Sequence, residues 1–224
     1  MRTVLRDNGL ALFFGAVFLL ALAGQAVAGF HAFNDDQAAD GAAPVPFAVY
    51  LTSSDFGADV AENWQSEYLQ FALYILATVY LVQRGSPESK QIGDEGPESD
   101  VDQRVGVHAH LDSPASARAR GRRLWWYSNS LGLTMGLIFL GSWTAQAVAG
   151  RAAYNGEQLR SYQDPLGFGE YVVSPDFWNR TLQNWQSEFL AILSMSVLSI
   201  YLRQRGSPES KPVGGAHSAT GLEG

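Results

Sequence analysis

The feature that most constrains this chain is that it is written twice. Residues 129–211 align with residues 8–90 at a constant offset of 121 without insertion, and 36 of the 83 paired positions are identical. The identities gather in three blocks: QAVAG at 25–29 and 146–150, NWQSE at 63–67 and 184–188, and QRGSPESK at 83–90 and 204–211. Chance similarity does not hold register over that length. Each copy is one supersecondary unit, and the fold has to be assembled from two of them.

Each copy carries two apolar stretches, Leu10–Gly29 and Tyr68–Val82 in the first, Leu131–Gly150 and Phe189–Leu202 in the second. A bilayer core takes about 20 helical residues. The first stretch of each copy has that length, and the second reaches it by running back through NWQSE. Ser53, and Ser174 ahead of Pro175, are helix-start signals, while Gly85–Pro87 and Gly206–Pro208 are stops. The expected fold is all-α: an integral membrane protein with four transmembrane helices, arranged as two parallel tandem hairpin repeats. Residues 1–90 form the first hairpin, 91–121 a disordered cytoplasmic linker, 122–211 the second hairpin and 212–224 a disordered cytoplasmic tail. Arg2, Arg6, the apolar run and Ala26–Ala28 also suit a cleaved leader. The same AVAG recurs at 147–150, where no leader could lie, so the first run reads as a retained span.

Orientation follows from the basic residues. With the N-terminus inside, twelve of the fifteen Lys and Arg residues fall on the cytoplasmic side, and only Arg151, Arg160 and Arg180 fall outside. Both termini are therefore expected in the cytoplasm, with the copies related by a pseudo-two-fold axis along the membrane normal. The outer loop of the first copy has Asp35, Asp36, Asp40, Asp55, Asp59 and Glu62 but no Lys or Arg, and reads as an ordinary solvated loop. Trp64, Trp185, Trp125 and Trp126 suit the interfacial aromatic belt. Arg118, Arg120, Arg122 and Arg123, just ahead of Trp125, suit anionic lipid headgroups on the cytoplasmic face.

A polar cluster falls inside the expected spans. At 1.5 Å per residue, Gln25 and Glu67 both lie about 22 Å above the inner boundary, and the repeat places Gln146 and Glu188 likewise. Asn63 and Glu67, and Asn184 and Glu188, share a helix face at i,i+4. Ala21, Gly24 and Ala28 on the first helix, and Ser142, Ala145 and Ala149 on the third, form small-residue faces that let another helix approach closely. No Lys or Arg lies at that depth, so each carboxylate has to accept from Gln or Asn or take up a proton. Two readings follow. Hydrogen bonds among Gln, Asn and Glu pin the helices, or the two carboxylates bind a cation or proton.

Other classes are excluded more easily. There is no Cys, hence no disulfide scaffold, thiolate metal site or cysteine nucleophile. A net charge of −7 argues against a nucleic-acid partner. No H-E-x-x-H, G-x-S-x-G or paired intramembrane Asp is present. His108 and His110 lack a third ligand, so no metal or cofactor is expected. S-P within QRGSPESK is a weak modification or docking signal.

The N-G-L start, GQAVAG, Asn34–Gln37, NWQSE and QRGSPESK together resemble an uncharacterised family of bacterial integral-membrane proteins, a domain of unknown function. The resemblance implies a doubled two-helix unit in a bacterial inner membrane and supplies no activity. The chain is therefore expected to be a non-enzymatic membrane component that self-associates or organises an unidentified membrane partner. The alternative is a small cation- or proton-coupled transporter or channel, working as an oligomer through Glu67 and Glu188.

Overall fold

The computed structural model describes residues 2–222, and the regular structure among them is helical. In chain order the helices are α1 (Arg2–Asp7), α2 (Gly9–Ala39), α3 (Phe47–Leu51), α4 (Ser54–Tyr80), α5 (Arg122–Ser128), α6 (Ser130–Arg160), α7 (Phe168–Val172) and α8 (Pro175–Tyr201), with one 3₁₀ turn at Gly106–His108. Adding 121 to the limits of α2, α3 and α4 returns those of α6, α7 and α8. The repeat seen in the letters is thus a repeat of elements.

Local chemistry explains the shared boundaries. The Asn8 amide donates to the Val4 carbonyl at 3.1 Å and Asn129 to Trp125 at 2.8 Å, marking the break before each long helix. Ser53 Oγ accepts the Phe56 N–H at 3.2 Å, and Pro175 takes the first position of α8. The long helices run ten residues past the apolar stretch, so the connections from α2 to α3 and from α6 to α7 are shorter than the polar sequence suggests. No Gly or Pro interrupts 30–39, and the next glycine, Gly41, adopts φ +72. Asn34 then clamps the returning chain. Its amide donates to the Val45 carbonyl at 3.2 Å and its Oδ1 accepts the Val45 N–H at 2.8 Å. Asn155 does the same to Leu166, at 2.9 and 2.8 Å.

The helices fall into two compact units: the chain up to Ala61 with Ala145–Ser174, and Glu62–Thr144 with the chain from Pro175 onward. In the first unit, α3 and α7 each sink a tyrosine against a long helix. Tyr50 is buried beside Phe30, Phe33 and Phe56, and Tyr171 beside Tyr154. A methyl group on Gly29 would collide with the Tyr50 hydroxyl, and one on Gly150 would lie 2.5 Å from that of Tyr171. The final glycine of QAVAG is there because a tyrosine passes over it.

Two helices, α2 and α6, are long and apolar enough to cross a membrane, with best 18-residue windows of mean hydropathy 2.2 and 1.4. Only 6% and 17% of those windows is buried, so neither is the covered core helix of a soluble protein. Leu10, Phe13, Phe14, Leu19 and Leu20 are all exposed, an apolar surface of the kind that marks a membrane or protein contact.

Candidate functional site

Within the second unit, α4 and α8 supply the polar residues. Trp185 Nε1 donates to Gln65 Oε1 at 2.8 Å, and Arg180 pairs with Glu62 at 3.1 Å. The Glu67 and Glu188 carboxylates are near enough to act on each other electrostatically. Further along, a cavity of about 240 Å³ is lined by Gln70, Phe71, Tyr74 and Glu88 and by Ala191, Ile192, Met195 and Glu209. Each of the second four is the first four plus 121. Partners advance together along both helices, so α4 and α8 run parallel and nearly in register, like meeting like. Tyr74 donates its hydroxyl to Glu88 at one side of the cavity.

The buried polar residues of NWQSE are not those expected. Gln65 is fully buried and Ser66 nearly so, whereas Asn63, Trp64 and Glu67 are exposed. The face of α4 that is covered carries Ala58, Ala61, Gln65 and Ala72, a small-residue stripe at spacings of three, four and seven. That stripe is readable in the sequence beside the i,i+4 pair of Asn63 and Glu67, which lies on another face of the helix. In α8 the covered residues are Phe177, Thr181 and Ile200, and Asn184, Trp185 and Glu188 are half-buried. The Asn184 amide donates to the Arg180 carbonyl of its own helix at 3.0 Å. Gln146 is buried in α6, and Gln25 is half-buried in α2.

Aromatic side chains fill the space around Trp185. Trp143 stacks on Phe139 with ring centres 5.6 Å apart and lies against Phe177, Trp178 and Trp185. Two donors in this cluster, Gln65 Nε2 and Trp143 Nε1, have no acceptor among the described residues. A buried N–H without an acceptor is uncommon and destabilising.

The outer arginines have a role that the sequence reading missed. Arg160, at the end of α6, reaches Asp40 at 3.4 Å and donates to the side-chain Oε1 of Gln37 at 3.1 Å, and Arg180 takes Glu62. Both pairs join an arginine of the second copy to a carboxylate of the first. Six acids without a base in the first copy's loop, against three arginines in its twin's, carried that signal. In the first unit, burial and the nearby Asp59 and Asp55 charges push the Tyr50 phenol above its ordinary pKa of 10.0.

Trp125 and Trp126 project from α5 into the open, edge to face at 5.1 Å. Arg120, Arg122 and Arg123 are exposed beside them, while Arg118, also exposed, donates to the carbonyls of His110 and Leu111. Among the described residues no three His, Asp or Glu side chains are placed to hold a metal ion. The arrangement pairs α4 with α8 and sets the Glu67 and Glu188 carboxylates within electrostatic reach of each other.

Comparison with curated proteins finds no match, and comparison with solved structures finds none either. The family described as a domain of unknown function, DUF6766, matches residues 1–222, and the chain belongs to that family.

Proposed function

We propose that the chain is a non-enzymatic component of a bacterial inner membrane that organises copies of itself or a membrane partner. It crosses the bilayer four times, through α2, α4, α6 and α8, as two like-facing hairpins with both termini in the cytoplasm. The parallel pairing of α4 with α8 supports the like-facing arrangement. Outward Phe71, Leu73 and Leu76 on α4, and Leu190, Leu193 and Val197 on α8, support lipid around the second pair of helices.

The observation that carries the reading is the small-residue face of α2. Ala21, Gly24 and Ala28 are exposed, and a methyl group added at Gly24 would meet nothing within 4 Å. A face that allows close helix approach, left uncovered by its own chain, suits another helix. Crosslinking in native membranes from a photoreactive group at Ala21 tests this. A discrete adduct is expected; lipid adducts alone would remove the reading.

One observation favours the transporter alternative, namely that the Glu67 and Glu188 carboxylates act on each other electrostatically. Proton or cation flux in proteoliposomes, abolished by the Glu67→Gln, Glu188→Gln pair, would replace the first reading with that one.

A further inference from the structure

The two QRGSPESK blocks are identical in sequence and fold alike, yet only one of them is covered. In each, Ser89 or Ser210 accepts the N–H of Gln83 or Gln204, at 2.8 and 2.9 Å. Gly85 and Gly206 adopt φ +85 and +81, which favours glycine at both. Each block's lysine then holds the chain that follows it: Lys90 Nζ donates to the Gly96 carbonyl at 2.9 Å and Lys211 Nζ to that of His217 at 3.0 Å, again 121 apart.

The copies part company after that. The tail continues across to the first block. The Gly85 N–H donates to Thr220 Oγ1 at 2.9 Å, the Gly221 N–H donates to the Ser86 carbonyl at 3.0 Å, and Lys211 Nζ also reaches the Gly85 carbonyl at 2.6 Å. A methyl group on Gly85 would lie 2.5 Å from the His217 carbonyl oxygen. Gly85, Ser86 and Pro87 are accordingly buried. In the second block Gly206 and Pro208 are exposed, and a methyl group added at Gly206 would meet nothing within 4 Å. A cleft of about 320 Å³ opens there, lined by Gln204–Ser207 and Ser210–Val213. Among the described residues no acceptor meets the Gly206 N–H, and the Ser207 carbonyl takes only the Ser210 N–H, at 3.2 Å, leaving one lone pair.

We infer that the second block, Gln204–Lys211, is a docking site for an extended peptide segment of a partner protein, bearing a hydroxyl residue followed by glycine. The filled first block is the template. It shows which two hydrogen bonds such a segment makes: a hydroxyl oxygen accepting from the glycine N–H, and the next residue's N–H donating to the serine carbonyl. Self-supply does not fill the site. The sequence holds two blocks against a single hydroxyl residue followed by glycine, Thr220–Gly221, so copies of these residues fill one block each and leave the other open. The inference rests on the partner-organising reading above and names the chemistry of the partner.

The test uses a synthetic peptide with the sequence of residues 216–222 and the full-length chain in detergent. The absence of native cysteine allows a single fluorophore at Val213→Cys, lining the second block, or at Ile92→Cys, beside the tail on the first. Tethering gives the native tail an effective concentration in the millimolar range, so added peptide goes to the open block first. A saturable response is expected at position 213 with one peptide per chain, and none at position 92 over the same range. Peptides carrying Thr220→Val or Gly221→Pro each lose one hydrogen bond and should bind about fivefold to tenfold more weakly. No saturable response at position 213, a first response at position 92, or equal binding of the altered peptides would overturn the inference. Peptide binding here without crosslinked neighbours in membranes would instead remove the partner-organising reading and leave the site standing.

Discussion

Gly29→Ala and Gly24→Ala are the same chemical change five residues apart on one helix, and the structure assigns them opposite signs. In a helix interior alanine is favoured over glycine by about 0.8–1 kcal/mol. At Gly24 nothing lies within 4 Å of the new methyl group, so that gain should be realised. At Gly29 the methyl group collides with the Tyr50 hydroxyl, and Tyr50 is 2% exposed with rings packed around it, so it has little room to withdraw. Overpacking of that kind costs about 1–3 kcal/mol. Against the helix gain, Gly29→Ala should come out neutral to about 2 kcal/mol destabilising, and the two variants should differ by about 1–3 kcal/mol. Unfolding by titration of SDS into mixed micelles, followed by circular dichroism, gives both values. Tyr50→Phe removes the colliding oxygen and should return most of the loss in the Gly29→Ala background. If the two alanine variants agree within about 0.5 kcal/mol, or if Tyr50→Phe rescues nothing, the packing argument for QAVAG is wrong.

Other expectations follow from the same contacts. Trp185→Phe leaves Gln65 Oε1 buried without its donor and should cost about 1–3 kcal/mol in the same titration; adding Gln65→Leu, which removes both orphaned polar atoms, should recover part of it. The Arg180 and Glu62 side chains are 40% and 17% exposed, so their coupling in a double-mutant cycle should be under about 1 kcal/mol and shrink in 1 M salt. Tyr50 is held protonated by burial and by Asp59 and Asp55. Its unfolded form loses the proton first, so its contribution is complete below pH 10 and declines as pH rises from 10 through the higher folded value. Tyr50→Phe should flatten that alkaline decline, and a decline unchanged by the substitution would exclude Tyr50 as its source.

The parts of the fold legible in the sequence are those set by spacing along the chain. The offset of 121 delivered every matching element, and Ser53 and Pro175 marked starts that the backbone uses, whereas α4 and α8 end at Tyr80 and Tyr201, five residues before the glycines of QRGSPESK. What escaped depends on neighbours distant in sequence. Asn63 and Glu67 do share a face, but periodicity does not say which face is covered, and the structure covers that of Ala58, Ala61, Gln65 and Ala72 instead. The continuation of α2 to Ala39 was hidden because its last turns are polar, and the returning Val45 that Asn34 clamps lies eleven residues on. Nothing in the Gly-rich tail suggests order. Its order comes from Lys211 and from Gly85, 126 residues earlier in the chain.

The proposed topology has the two repeats facing the same way across the bilayer, each returning the chain to the cytoplasm. Four single-cysteine variants of this cysteine-free chain test it: Ala42→Cys and Gln163→Cys, 121 apart in the outer loops, and Ile92→Cys and Val213→Cys, 121 apart beyond α4 and α8. All four sites are exposed. In intact spheroplasts a membrane-impermeant maleimide should label positions 42 and 163 and reach 92 and 213 only after lysis. Labelling of 42 and 163 from opposite sides would turn the repeats head to foot, and labelling of 92 together with 42 would mean that α4 does not cross.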